Sequence, residues 1–311
     1  MPKDAPCETL RASSDPSRVN TAIPSLFVLL WSTGFIGMRL GSPFAEPFIF
    51  MFTRCILVML LLGVAALLWR APWPQSKREV SHIAMAGLLV HATYLSGILL
   101  AINRGLPLSA VALIAGLQPV LTAMFARYFL GEKLSVLQWL GFALGMGGVA
   151  FVVVGKNATS GLNFAALGFA FIGLLGITLG TLYQKKFCTG MDLRTGAFIQ
   201  FSATACAMLA LSFAFENQRI NWTPQFMFAL GWLAVVLSIG AISLLYFMIS
   251  RGAASKVASL FFLTPSVTAI MAWLLFDEVM PWQSIVGLLL CAGGVALVMG
   301  VRIKQVSKVI E

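Results

Sequence analysis

Several side chains that hydrocarbon tolerates poorly stand in this chain where hydrocarbon would surround them. His91 lies at the centre of an apolar run over 82–102, and Tyr94 follows three residues later on the same helical face. A polar group at membrane depth is costly when it faces lipid, so it turns into the helix bundle or a wet cavity. Side by side, an imidazole and a phenol would give such a cavity two hydrogen-bonding groups. Equally, the imidazole could bond a neighbouring carbonyl with Tyr94 packed beside it. No Asp or Glu occupies the middle of a span, because Glu46, Glu132, Asp277 and Glu278 are loop or end residues. Proton coupling, if any, would therefore fall to His91, the one deep group that titrates near neutrality.

Further candidates sit on other runs. Gln118-Pro119 and Thr264-Pro265 occupy matching mid-helix places, and each proline removes a backbone donor and frees the carbonyl a turn earlier. A kinked helix could offer polar backbone to a solute, with Gln118 and Thr264 lining the cavity and Pro119 and Pro265 acting as hinges. The kinks could equally serve packing alone. Trp31 is central in its run, away from the interfacial belts that tryptophan favours, and could form a cavity wall or part of the core. Tyr246, with Tyr183 and Ser259, could contribute from the second half, or act as interfacial anchors and ordinary interhelical contacts. Arg54 lies some seven residues inside its run; it could take a carboxylate or phosphate of a substrate, pair with Glu46 or backbone carbonyls, or snorkel to headgroups.

The elements that must position these groups are transmembrane helices. Of the 311 residues 59% are hydrophobic and only 10% charged, against roughly 25% charged in soluble domains. Apolar runs long enough to cross the bilayer fall at 22–40, 47–69, 82–102, 107–129, 135–154, 163–184, 195–214, 225–249, 255–276 and 281–301. They are continuous rather than short and alternating, which predicts an all-α membrane protein of ten transmembrane helices and excludes a barrel. Residues 1–21 carry several prolines and polar groups without a signal-peptide pattern, and read as a disordered cytoplasmic tail. A second short cytoplasmic tail is expected over 302–311.

The chain also repeats itself. Val111-Ala112, Gln118-Pro119, Thr122-Ala123, Glu132, Gly141 and Gly147-Gly148-Val149-Ala150 return 146 positions later as Val257-Ala258, Thr264-Pro265, Thr268-Ala269, Glu278, Gly287 and Gly293-Gly294-Val295-Ala296. Two repeats, 22–154 and 163–301, follow. Five spans per repeat is odd, so the second must enter the membrane from the opposite side, giving two inverted five-helix repeats. The charges agree. With both termini in the cytoplasm, only Arg39, Arg104, Lys156 and Arg219 of the 21 basic residues fall outside and Arg54 lies within a span, as the positive-inside rule requires.

Several function classes drop out. The net charge of +10 is a topology signal, so no nucleic-acid partner is implied. Five cysteines, Cys7, Cys55, Cys188, Cys206 and Cys291, have no paired spacing, and neither a metal site nor a disulfide frame is expected. The chain lacks a Gly-x-x-x-x-Gly-Lys-Ser/Thr loop, so no nucleotide or other cofactor is expected. His82 and His91, the only histidines, have no carboxylate at depth to assist them, which argues against an intramembrane enzyme. Gly37-x-x-x-Gly41, Gly141-x-x-x-Gly145 and Gly176-x-x-x-Gly180 allow close helix approach, within one chain or across a homodimer.

Leu30-Trp31-Ser32-Thr33-Gly34-Phe35, Arg54, Ala110-Val111-Ala112 with Gln118-Pro119, Gly131-Glu132-Lys133-Leu134 and Gly293-Gly294-Val295 together resemble the EamA-type branch of the drug/metabolite transporter superfamily. The resemblance covers about residues 22–301; it departs at Asp277-Glu278 and Arg54-Cys55, where the family often has Gly-Glu and Arg-Phe. It implies ten helices in two inverted repeats and a secondary transporter in the inner membrane that exports small metabolites such as amino acids. The cavity is expected among spans 1, 3, 4, 6, 8 and 9. A lipid or lipid-linked sugar flippase, or a membrane receptor or scaffold, is the alternative.

Overall fold

The computed structural model describes residues 22–130, 135–157, 163–241, 244, 263–278 and 281–310. The helices are α1 (Ala22–Gly41), α2 (Pro47–Leu68), α3 (Lys77–Asn103), α4 (Leu108–Ala115), α5 (Gln118–Leu130), α6 (Val136–Asn157), α7 (Phe164–Phe187), α8 (Leu193–Phe215), α9 (Pro224–Ala241), α10 (Thr264–Phe276) and α11 (Trp282–Ile310). Beyond them, the only extended pairing among the described residues is a bridge between Ala45 and Ile220. Six helices, α1, α2, α3, α7, α8 and α9, are long and apolar enough to cross a membrane; shorter apolar stretches lie at Leu108–Thr122, Trp139–Phe151, Thr264–Phe276 and Trp282–Leu297.

Local chemistry sets where the helices start. Ser76 accepts from the Glu79 amide at the head of α3, Asn163 from Ala166 at α7, Asp192 from Arg194 at α8 and Thr223 from Phe226 at α9. Pro47 and Pro224 occupy first-turn positions, where a missing N–H costs nothing. Two helices are capped by a carboxylate from elsewhere in the fold. Glu216 accepts from the amides of Phe48 (2.7 Å) and Ile49 (2.9 Å), and Glu278 from the Leu108 amide (3.0 Å) and the Ser109 hydroxyl (2.6 Å). Burial pushes the Glu216 carboxyl up, the two backbone donors pull it down, and the charge of Glu46 raises it again. Glu46 itself accepts from the amides of Asn217 and Arg219, at 3.0 and 2.9 Å. The bonds of Glu46, Glu216 and Glu278 lie at the face expected to be outside.

Three expectations change in detail. The span over 107–129 is interrupted at Gly116-Leu117, because Pro119 in the first turn of α5 cannot continue the hydrogen-bond ladder of α4. The third and eighth spans each widen into a π-helical stretch, Leu88–Thr93 and Trp232–Ala241. The tail expected after residue 301 is a continuation of α11, which runs to Ile310.

Packing follows a reciprocal scheme. α2 lies antiparallel to α8, from Phe48 against Phe215 at one end to Trp73 against Phe198 at the other. α6 lies antiparallel to α11 through glycines: a Cβ on Gly148 would fall 2.6 Å from the Gly287 carbonyl oxygen, and one on Gly294 would strike that of Gly141. Between them the Cys291 thiol donates to the Gly145 carbonyl at 3.1 Å. Residues 141, 145 and 148 are each 146 positions from 287, 291 and 294, so the contact maps onto itself when the two helices are exchanged. Likewise α3 packs on α7 through Gly97, Gly173, Gly176 and Gly180, while α1 packs on α9 through Gly34, Gly37 and Gly41.

Gly147 and Gly148 are neighbours with opposite surroundings, since a Cβ on Gly147 meets nothing within 4 Å. Gly148→Ala is expected to lower thermal stability of the purified protein by about 1–3 kcal/mol of overpacking, and Gly294→Ala likewise. Gly147→Ala should be neutral or stabilising, because alanine is the better helix former. Equal behaviour of the two substitutions in a thermal unfolding assay would refute the α6–α11 contact.

Candidate functional site, a cavity between the two halves

A cavity of about 100 Å³ lies between the helices, lined by Trp31, Gly34, Phe35 and Met38 of α1, Arg54 of α2, Val90, His91, Tyr94, Leu95 and Ile98 of α3, Ile177 of α7, Phe201 of α8, and Leu237 and Ser238 of α9. The walls thus come from three helices of each half. The cavity brings together Trp31, Arg54, His91 and Tyr94. Its described lining excludes the fourth and ninth spans, which the sequence reading included, and takes in the second and seventh instead.

The two π-helical stretches put polar groups on this wall. In each of them a hydroxyl bonds the carbonyl five residues earlier, the spacing at which π-helical residues pair. Thr93 donates to Leu88 at 3.0 Å in α3, and Ser238 donates to Leu233 at 2.9 Å in α9. The same arrangement therefore occurs once in each half, bracketing His91 in one and leading to Ser238 in the other.

Each stretch is also reached from the neighbouring pair of helices. His91 Nε2 lies 3.3 Å from Gln200 Oε1 on α8, and its ring stacks on Phe201 with centroids 4.2 Å apart. Arg54 Nη2 donates to Ser238 Oγ at 3.3 Å. Arg54 and Gln200 are 146 residues apart, so the two polar couplings join equivalent helices, α2 to α9 and α8 to α3. Gln200, Phe201 and Ser238 escaped the sequence reading. The repeat spacing was the available signal for Gln200, whereas nothing in the sequence marks a π turn.

Arg54 is only 3% exposed, and neither Nε nor Nη1 has a hydrogen-bond partner among the described residues. It neither snorkels nor pairs with Glu46, because Glu46 is held by the α8–α9 loop. The remaining candidates that are described lie elsewhere. Gly116, next to Gln118 and Pro119, abuts Pro265, so the two proline kinks pack against each other, and Ser32 donates to the Thr264 carbonyl at 3.4 Å. Gln118 and Thr264 are not among the described lining residues. Tyr183 bonds His82 Nδ1 at 2.7 Å near the opposite end of the bundle from Glu216. Tyr246 and Ser259 fall outside the described residues.

A helical membrane bundle around a cavity walled by helices of both halves is an architecture that membrane transporters use. The chain belongs to the EamA-like transporter family, whose model matches it twice, over residues 24–154 and 164–300. It is 26% identical to an uncharacterized transporter of Bacillus subtilis (strain 168) over 91% of this chain and 92% of that protein. It is 26% identical to an uncharacterized inner membrane transporter of Escherichia coli (strain K12), covering 80% of each. A probable amino-acid metabolite efflux pump of the same E. coli strain is 25% identical over 94% of this chain and 99% of that protein. One solved crystal structure shares the fold, with a TM-score of 0.58 at 20% identity over 89% of this chain and 95% of the other.

His91→Ala and Tyr94→Ala should each lower transport roughly 2- to 10-fold, the equivalent of one lost hydrogen bond, at unchanged membrane abundance. Tyr183→Phe, at the far end of the bundle, should leave it unchanged. Efflux assays at matched expression check both; unaltered flux in the two alanine variants would remove them from the site.

Proposed function

We propose that this protein is a secondary transporter of the inner membrane that exports small metabolites, amino acids and their derivatives foremost, by alternating access. The observation that carries the reading is the cavity wall, which draws α1, α2 and α3 from one half and α7, α8 and α9 from the other. On this reading the chain forms two inverted five-helix repeats with both termini cytoplasmic. The antiparallel, self-matching contacts of α2 with α8 and of α6 with α11 support that topology. One repeat rocks against the other, and the cavity opens to one side at a time.

The bonds at the expected outer face define the cost of opening there. Glu216 and Glu278 release the first turns of α2 and α4 when that face parts, and the kinks at Pro119 and Pro265 take up the bending. His91, Tyr94 and Trp31 meet the solute, while Gln118, Thr264 and Tyr246 act at the moving fourth, ninth and eighth spans. The amino-acid class is supported by the efflux-pump relative.

Cells overproducing the protein should enrich a small set of amino-acid-like solutes in the medium, and cells with the His91→Ala/Tyr94→Ala double variant at equal abundance should not. An extracellular metabolite profile makes the comparison. A profile identical to that of empty-vector cells would overturn the export reading.

A further inference from the structure

We propose that the cavity binds small organic monocarboxylates with an apolar body, and that Arg54 is the anchor for the carboxylate. The inference rests on the transporter reading for its biological sense, but it stands on the chemistry of the cavity wall. Arg54 lies on that wall and is 3% exposed; Nη2 reaches only Ser238, and Nε and Nη1 have no partner among the described residues. A guanidinium shut away from water with two nitrogens unanswered is costly, and its planar fork matches a carboxylate with two parallel hydrogen bonds.

The described residues show no counter-ion for it. None of the described lining residues is Asp or Glu. Glu46 is committed to the amides of Asn217 and Arg219, and Glu216 to those of Phe48 and Ile49. The stretch 242–262, outside the described residues, contains no acidic residue at all. In the described lining, one cation and no anion call for a solute bearing one negative charge, which favours a carboxylate over a doubly charged phosphate ester.

The rest of the wall sets the body. Trp31, Phe35, Met38, Ile98, Phe201 and Leu237 present an apolar surface, and the Tyr94 hydroxyl and the His91 ring add two hydrogen-bonding groups beside the guanidinium. An ammonium group on the solute finds no carboxylate here, only aromatic faces. The cavity therefore selects for the acid end of a molecule and is tolerant of the amine.

Three probes with one aromatic body separate these demands: 3-phenylpropanoate, phenylalanine and 2-phenylethylamine. Each is titrated into purified full-length protein in detergent and binding is read as thermal stabilisation. The acid and the amino acid should raise the unfolding temperature, and the amine should leave it unchanged at the same concentration. Arg54→Met should abolish the shift with the acid, and Arg54→Lys, which keeps the charge but loses the fork, should retain a smaller one. Equal stabilisation by acid and amine overturns the proposal, and this comparison on the unaltered protein needs no variant to fold. Stabilisation by the acid alone, in a protein that exports nothing from cells, supports the anion site while overturning the export reading.

Discussion

In hydrocarbon a polar group has no water to fall back on, so every amide, hydroxyl and charge within the spans must be answered inside the bundle. This protein answers most of them with a small number of pairings used twice. Thr93 and Ser238 each bond the carbonyl five residues earlier in a π-helical stretch, and Arg54 and Gln200 each reach across to the π-bearing helix of the other half. Among the described residues the one charge left over is the free edge of Arg54, on the cavity wall with His91 and Tyr94, while the hydroxyls of Thr122, Ser212, Thr264, Thr268 and Ser284 are left over elsewhere.

Glycine makes the scheme geometrically possible. Backbones come close enough for the Cys291 thiol to meet the Gly145 carbonyl only because Gly148 and Gly294 carry no side chain at the crossing of α6 and α11. Without such crossings the helices could not leave a cavity between two otherwise packed halves. The walls of α1 against α9 and of α3 against α7 depend on the same device, with Gly34 and Gly37 on one side and Gly97 and Gly176 on the other. Close packing at the rim and an open centre are therefore two results of one residue choice.

Much of this was legible in the residues, and the rest was hidden for physical reasons. Helix positions follow from apolar runs, and the depth of His91, Tyr94, Trp31 and Arg54 follows from counting along those runs. Depth does not give direction. Arg54 reads equally as a snorkelling or a buried cation until Glu46 is seen bonded to the α8–α9 loop. The proline kinks were visible, but not that Gly116 receives Pro265, which turns the kinks toward each other. Gln200 and Ser238 matter through partners on distant helices, and a π turn is a backbone event that no residue type announces. Pairings across halves are where a single sequence says least.

The central claim is that the cavity between the halves is open to each side of the membrane in turn. Its most direct measurement is thiol labelling in a cysteine-free background carrying one cysteine at Leu95, on the cavity wall. A membrane-impermeant reagent is applied to right-side-out and inside-out vesicles. Alternating access predicts labelling from both sides, with protection from each by a bound solute. Labelling confined to one side under every condition would contradict the account.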